Sequence, residues 1–179
     1  ALFLMAFATS SFAQSLLDED TFDNDLNGWT SSTGWDWSED GRANGVTNFW
    51  NDRPPIGSVS GPGALAYRAA EGDIASVVSR PYDFTGNPSV FLRFTQYYRR
   101  WMGATRMNIL IDGAVVQSLQ LNANVGINIE TSHRDLQILD LSEEIGDNAN
   151  VQLEFIFEGT NYFWLIDDVL VLGRPAGVF

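Results

Sequence analysis

Two groups of carboxylates stand at opposite ends of this 179-residue chain, and their types and spacing carry its clearest chemical potential. Asp18, Glu19, Asp20, Asp23 and Asp25 lie near the start, and Asp167-Asp168 interrupts an apolar run near the end. Neighbouring residues on a strand point to opposite faces, so in a central strand one of Asp167 and Asp168 must enter a layer otherwise filled by Trp164, Ile166 and Leu170 or by Leu165 and Val169. A buried carboxylate costs several kcal/mol unless it is paired. The chain holds 23 acidic residues against 10 basic ones, all Arg, for a net charge of -13, so a metal cation is the natural counter-charge. Calcium suits this donor set because it accepts about six to eight oxygens from carboxylates, amides and main-chain carbonyls. First and last strands of a sandwich often lie side by side, which would let Asp20 or Asp23 join Asp168 around one ion. The competing reading makes the early acids a solvated face and satisfies Asp167 or Asp168 with loop amides or an arginine.

The second constellation is aromatic. Trp29, Trp35, Trp37 and Trp50 fall in the segment 24–63, which is rich in Gly, Ser, Asn and Trp and reads as long loops over one end of the fold. Exposed rings on loops stack against the apolar faces of sugars. Trp35 and Trp37 are two apart and share a face on an extended segment, as would suit a flat platform. Alternatively these rings cover the open ends of the sandwich, with Trp29 as a core member. Tyr97, Arg99 and Trp101 point alike from one strand and either grip a polysaccharide or keep a sheet soluble. The ligand-binding candidates are Trp35, Trp37, Trp50, Tyr97 and Arg99.

Catalytic readings are thinner. A glycosidase needs two carboxyls about 5–10 Å apart across the sugar, and no pair of acids here sits on one face of a single strand beside aromatics. His133 is the sole histidine, in the polar run 130–134, so a Ser-His-Asp triad would rest on it alone. The absence of cysteine removes disulfides, thiol nucleophiles and thiolate zinc sites. The negative charge repels phosphate backbones and anionic membrane surfaces, excluding nucleic acid as a partner.

These residues must be positioned by strands. No stretch beyond Leu16 sustains a helical apolar period, whereas several alternate with period two between Gly, Pro, Asn and Asp. Strands are expected over 16–22, 64–69, 74–79, 90–101, 107–111, 115–121, 151–157 and 164–172. Segment 90–101 should turn Val90, Leu92 and Phe94 inward and leave its other face wet. Asp112-Gly113 should close a tight hairpin, and residues 141–145 suggest one helical turn capped by Ser142. The fold class is all-β: a two-sheet antiparallel β-sandwich, a jelly roll of concanavalin-like or galactose-binding-like form.

Residues 1–13, ALFLMAFATSSFA, read as the remnant of a signal peptide ending in a small-x-small cleavage pattern, which implies export. A buried strand or short helix is the alternative. With no run of about 18 apolar residues, no membrane insertion is expected. The sandwich should occupy 14–173, and 174–179 reads as the start of a linker or tail.

Asp20-Thr21-Phe22-Asp23, then Leu26-Asn27-Gly28-Trp29, with the closing Tyr162-Phe163-Trp164-Leu165-Ile166-Asp167-Asp168-Val169, resembles the acidic-x-Phe-acidic, Gly-Trp and Ile-Asp-Asp-Val signature of MAM-like jelly-roll domains. It is similar above all to cleaved-adhesin and carbohydrate-binding-module-like domains of secreted bacterial, Bacteroidetes-type, proteins. Trp35-Asp36-Trp37-Ser38, Arg53-Pro54-Pro55-Ile56 and Ser60-Gly61-Pro62-Gly63 resemble their loops. The resemblance implies a structural calcium, with Asp20, Asp23 and Asp168 at ligand positions and Asp167 as a further candidate, in a module for adhesion or glycan binding. The paired cysteines of animal MAM domains are absent, which favours the bacterial cousins. The expectation is therefore a secreted or cell-surface, non-enzymatic module that binds an extracellular glycan or cell-surface component, in a chain that carries further domains, with a hydrolase as one possible parent. A structural subunit of an extracellular filament or matrix, and a glycosidase domain, remain as alternatives.

Overall fold

Period-two alternation is realised as two antiparallel sheets packed face to face. The structure, a computed structural model, describes residues 14–32, 34–43, 53–68, 74–159 and 162–175. The expected leader, 1–13, and Trp50 lie outside the described residues. In chain order the strands are β1 (Ser15–Asp20), β2 (Thr30–Ser31), β3 (Trp35–Ser38), β4 (Ala64–Arg68), β5 (Ile74–Val78), β6 (Ser89–Arg99), β7 (Ala104–Ile111), β8 (Ala114–Leu121), β9 (Asp135–Asp140), β10 (Val151–Glu158) and β11 (Phe163–Arg174). One helical turn, α1 (Ser142–Ile145), precedes β10. The first sheet runs β3-β4-β11-β6-β9 with β1 also on β11, and the second runs β2-β5-β10-β7-β8. No helix among the described residues is long and apolar enough to cross a membrane.

The inner faces supply the core. Val90, Leu92 and Phe94 of β6 and Trp164, Ile166, Val169 and Val171 of β11 meet Leu153, Phe155 and Phe157 of β10. Tyr67 stacks on Phe157 with ring centroids 3.9 Å apart, and Trp164 sits edge-on to Phe155 at 5.6 Å. Such offset and edge-to-face pairs add to the stabilisation from area burial. Asp112 and Gly113 take positive φ values of 52° and 79°, closing the β7-β8 hairpin as expected.

Several elements depart from the sequence reading. β3 arises inside the stretch read as loops, and β9 was not expected. The outer face of β6 is not wet: Thr95 and Tyr97 are 6% and 2% exposed because the segment after residue 53 crosses it. Ile56 and Ala43 pack there with Ala64, Ala66, Tyr97, Phe163 and Leu165 as a second apolar cluster. Ser142 does not cap α1; Leu141 occupies the cap position, and the Ser142 hydroxyl donates to Asp140 Oδ1 at 2.6 Å.

β11 positions the acidic residues. Along one edge it pairs with β6; along the other it pairs first with β4, as far as Ile166 opposite Leu65, and then with β1, from Val169 opposite Asp20. Asp167 and Asp168 fill the gap between these two partners. The β6 register shifts between Asp167 and Leu170, and Asp168 has φ 49°, which together mark a bulge. Asp167 keeps its register partner Thr95 on β6, whereas Asp168 stands where the ladder is interrupted.

Candidate functional site

The bulge turns Asp167 and Asp168 toward the loop that follows Ile56. Asp168 is buried and accepts hydrogen bonds from the amides of Val59 at 2.8 Å and Ser60 at 3.2 Å, and from the Thr95 hydroxyl at 3.4 Å. Asp167 is fully buried. Its Oδ1 accepts from the Asp168 amide at 2.7 Å, whereas its Oδ2 is buried with no hydrogen-bond partner. Burial pushes the Asp167 carboxyl up to about 8; hydrogen bonds from the Asp168 amide and Ser58 pull the other way, while the charges of Asp168 and Asp23 add to the rise. Asp23 Oδ1 is likewise a buried oxygen without a hydrogen-bond partner among the described residues. It packs so closely on Gly61 that no Cβ would fit there, and Gly63 lies similarly against the Phe22 carbonyl. Segments 22–25 and 58–63 thus close over the acidic pair from two sides.

Two orphaned carboxylate oxygens in one buried seam fit a hard cation with oxygen ligands better than a nitrogen-rich transition-metal site. Among the described residues no group of three or more His, Cys, Asp or Glu side chains is arranged to hold a metal ion by itself. A cation at Asp23 and Asp167 would therefore draw further oxygens from the main chain or water.

Asp20 belongs elsewhere, which corrects its placement with the other acids. It is 1% exposed, and its Oδ2 accepts from Tyr82 Oη at 2.8 Å and Trp29 Nε1 at 2.9 Å. Its Oδ1 accepts from the Asn27 side-chain amide and pairs with Arg80 Nη2 at 2.9 Å. Arg80 also grips Asp18 through both terminal nitrogens, at 3.0 and 2.7 Å. A guanidinium and three neutral donors fill the positions a metal would need. Burial first, then the Asp20 charge, pushes the Tyr82 hydroxyl far above the ordinary phenol range. Sequence reasoning missed Arg80 because Arg80-Pro81-Tyr82 follows β5 without any periodic signal.

The aromatic platform expected from Trp35 and Trp37 is also corrected. The two indoles share a face, but it is the inner one: Trp35 is 4% exposed, donates to the Ala75 carbonyl at 3.3 Å and packs on Tyr67 and Trp164. Trp37 is half-buried against the core and donates to the Phe22 carbonyl at 2.7 Å. Tyr97 is covered by the crossing loop, with Phe163 edge-on at 4.8 Å. Trp29 is in the core, as expected. His133 is half-buried and presents its ring edge-on to Tyr97, which does not make a triad.

Arg99 alone of the described ligand-binding candidates reaches a mixed polar and aromatic surface. Its guanidinium lies 4.6 Å from the centre of the Tyr162 ring and 3.6 Å from Glu130, which also holds Arg53 at 2.9 Å. Trp101 adds a second half-buried ring, 5.8 Å from Tyr162, and the Tyr162 hydroxyl donates to Asn128 at 2.6 Å. These groups sit where the β6-β7 connection, the start of β11 and segment 128–130 meet. The arrangement can stack a sugar face on a ring and bond its hydroxyls to planar donors and a carboxylate.

No protein-family model matches the sequence, and no curated protein matches it. Solved structures do share the fold. The family 22 carbohydrate-binding and catalytic modules of Clostridium thermocellum endo-1,4-β-D-xylanase 10B, complexed with xylohexaose, align with TM-score 0.54 at 13% identity over 92% of this chain. This chain spans only 29% of that one. The C-terminal family 22 carbohydrate-binding module of the same xylanase aligns with TM-score 0.53 at 14% identity, over 92% of this chain and 96% of that module. The K1 cleaved-adhesin domain of Lys-gingipain from Porphyromonas gingivalis aligns with TM-score 0.55 at 12% identity, over 89% of this chain and 98% of that domain. At these identities the likeness is one of architecture: the chain is a two-sheet antiparallel β-sandwich of the kind found in carbohydrate-binding modules and a cleaved-adhesin domain.

Proposed function

We propose that this domain is a non-catalytic module of a secreted or cell-surface protein that binds an extracellular glycan. The observation that carries the reading is the half-buried shelf of Trp101 and Tyr162, flanked by Arg99, Glu130 and Asn128. Rings held by packing lose little conformational freedom when a sugar stacks on them, and the adjacent ion pair fixes planar donors in place. The structural neighbours, one complexed with xylohexaose and one a module with a ligand-binding cleft, support a β-linked polysaccharide as the class of target. In the acid seam, a calcium ion held by Asp23 and Asp167, with Asp168 orienting the loop, would tie the start of the chain to its last strand. The two orphaned carboxylate oxygens support that assignment.

Calorimetric titration of the folded domain with xylo- and galacto-oligosaccharides tests the reading. Binding should fall at least about tenfold in Trp101→Ala or Tyr162→Ala and persist in Ile138→Ser, on the exposed edge strand β9. Absence of binding to a broad glycan array, or binding indifferent to both aromatic substitutions, would overturn it. Hydrolysis of the glycan by the isolated domain would replace it with the glycosidase reading.

A further inference from the structure

A cleft of ≈ 370 Å³ opens at the end of the sandwich, between the last residues of β6 and the β7-β8 hairpin. Tyr98, Arg100, Thr105, Gln120, Leu121 and Asn122 line it. Tyr98 points inward, opposite to the outer face from which Arg99 reaches the Trp101–Tyr162 shelf, so the cleft is separate from that surface. Its size falls in the range of small-ligand pockets, roughly 300–1,000 Å³.

Most polar groups at its floor are spent within the protein. Gln96 Nε2 donates to Asn122 Oδ1 at 2.7 Å, Asn122 Nδ2 donates to Gln96 Oε1 at 3.2 Å and to Thr105 Oγ1 at 3.0 Å, and the Thr105 hydroxyl donates to the Leu121 carbonyl at 3.0 Å. Trp164 Nε1 closes the network on Gln96 at 2.9 Å. Asp135 faces Gln96 and Gln137 behind this network.

Two groups are left over. Tyr98 is 1% exposed, its ring held edge-on to Phe157 and Trp164 at 6.3 Å each. Its hydroxyl makes no hydrogen bond to the described residues and, not being among the sealed polar atoms, opens on the cleft it lines. Burial pushes that hydroxyl up to about 12 and the Arg100 charge draws it down, so it remains a protonated donor beside a cation. Arg100 donates through Nη1 to the carbonyls of Val125 at 2.8 Å and Ala123 at 3.4 Å, which orients the guanidinium and leaves Nη2 without a partner among the described residues. Among the described residues it is the one charged group lining the cleft, in a chain of net charge -13.

Two unspent donors, one of them cationic, on a rigid amide floor call for an anionic acceptor that also carries hydroxyls. We propose that this cleft binds a uronate: a polyhydroxy ring whose carboxylate meets Arg100 and whose adjacent oxygen accepts from the Tyr98 hydroxyl. The Arg100 guanidinium offers charge-assisted hydrogen bonds, and the satisfied amides keep the floor from collapsing into the space. The site does not depend on the aromatic shelf, so either can fail alone.

The test is a backbone and side-chain NMR titration with sodium galacturonate, its neutral methyl ester, and oligogalacturonate. Galacturonate should shift Tyr98, Arg100 and Asn122 resonances with millimolar affinity, and the ester should bind about tenfold more weakly. Tyr98→Phe should melt with the parent, because no protein group loses a partner, yet bind galacturonate about fivefold more weakly. Arg100→Gln should abolish the preference for acid over ester. Tighter binding of the oligomer assigns the ligand to a polysaccharide end, and equal binding assigns it to the free acid. Unmoved cleft resonances, equal response to acid and ester, or a Tyr98→Phe variant with a clearly lowered melting temperature would overturn the proposal. Shifts confined to Trp101 and Tyr162 would overturn it while sustaining the reading of the shelf.

Discussion

Asp20 and Asp167 are both buried carboxylates, Asp20 standing opposite Val169, two residues beyond Asp167 on β11, and they solve the same electrostatic problem in opposite ways. Asp20 is surrounded: a guanidinium, a phenol, an indole and an amide all donate to it. Asp167 accepts a main-chain amide and has the Ser58 hydroxyl beside it, but its Oδ2 has no hydrogen-bond partner among the described residues, and burial pushes its carboxyl up to about 8. Burial by itself does not identify a metal ligand. What separates the two acids is whether protein donors saturate both carboxylate oxygens, because only an unsaturated oxygen leaves a desolvation cost for a cation to offset.

The contrast can be broken most severely at Asp20. Asp20→Leu takes from Arg80 the buried one of its two carboxylate partners and leaves buried Trp29 and Tyr82 donors unmet, so chemical denaturation should show a loss of about 3–5 kcal/mol, equal with and without calcium. A calcium-dependent loss would place Asp20 back among the metal ligands.

The next effect is the pH response of the other acid in chelator-treated protein. Asp167 has a folded pKa of about 8 against an ordinary value of 3.8, so the native state keeps a proton that the unfolded chain releases. Its contribution is complete below about pH 4 and is lost as pH rises toward 8, so denaturation midpoints should fall across that window. Asp167→Asn should flatten the slope; a midpoint that rises with pH for the parent but not for this variant would reverse the assignment.

Calcium should then raise the melting temperature of the parent, by the equivalent of about 2.7 kcal/mol at a hundredfold excess over Kd. Asp167→Asn should abolish that response, and Asp18→Asn, whose partner is Arg80, should leave it intact. An unchanged melt would mean that a retained proton alone balances the seam. The smallest change sharpens the saturated side: Tyr82→Phe removes one of the donors to Asp20 and should cost about 1.5–3 kcal/mol with no effect on calcium response, as read in the same melts.

Local signals made parts of this molecule legible in advance. Val90, Leu92 and Phe94 alternate cleanly because β6 has one face in the main core. Asp112-Gly113 specifies its turn through backbone sterics alone, and Trp29 after Asn27-Gly28 is in the core. β3 was hidden because Trp35-Asp36-Trp37-Ser38 is short and sits among Gly, Ser and Asn, whose turn preferences mask a brief alternation. Trp35 and Trp37 were correctly placed on one face, but period two does not say which face meets the core. Tyr97 looked solvent-facing for a similar reason: its covering comes from Ile56 and Ala43, far away in sequence.

From its residues alone, then, this chain declares an all-β sandwich, the hairpin at Asp112-Gly113 and the need for the Asp167-Asp168 pair to be compensated, because alternation, turn sterics and desolvation act over a few neighbouring residues. Which acid receives Arg80, which one keeps a bare oxygen, and that Tyr98 and Arg100 share a cleft were decided only by tertiary structure. Each depends on which segments, tens of residues apart, share a strand edge, and that pairing is a collective property of both sheets.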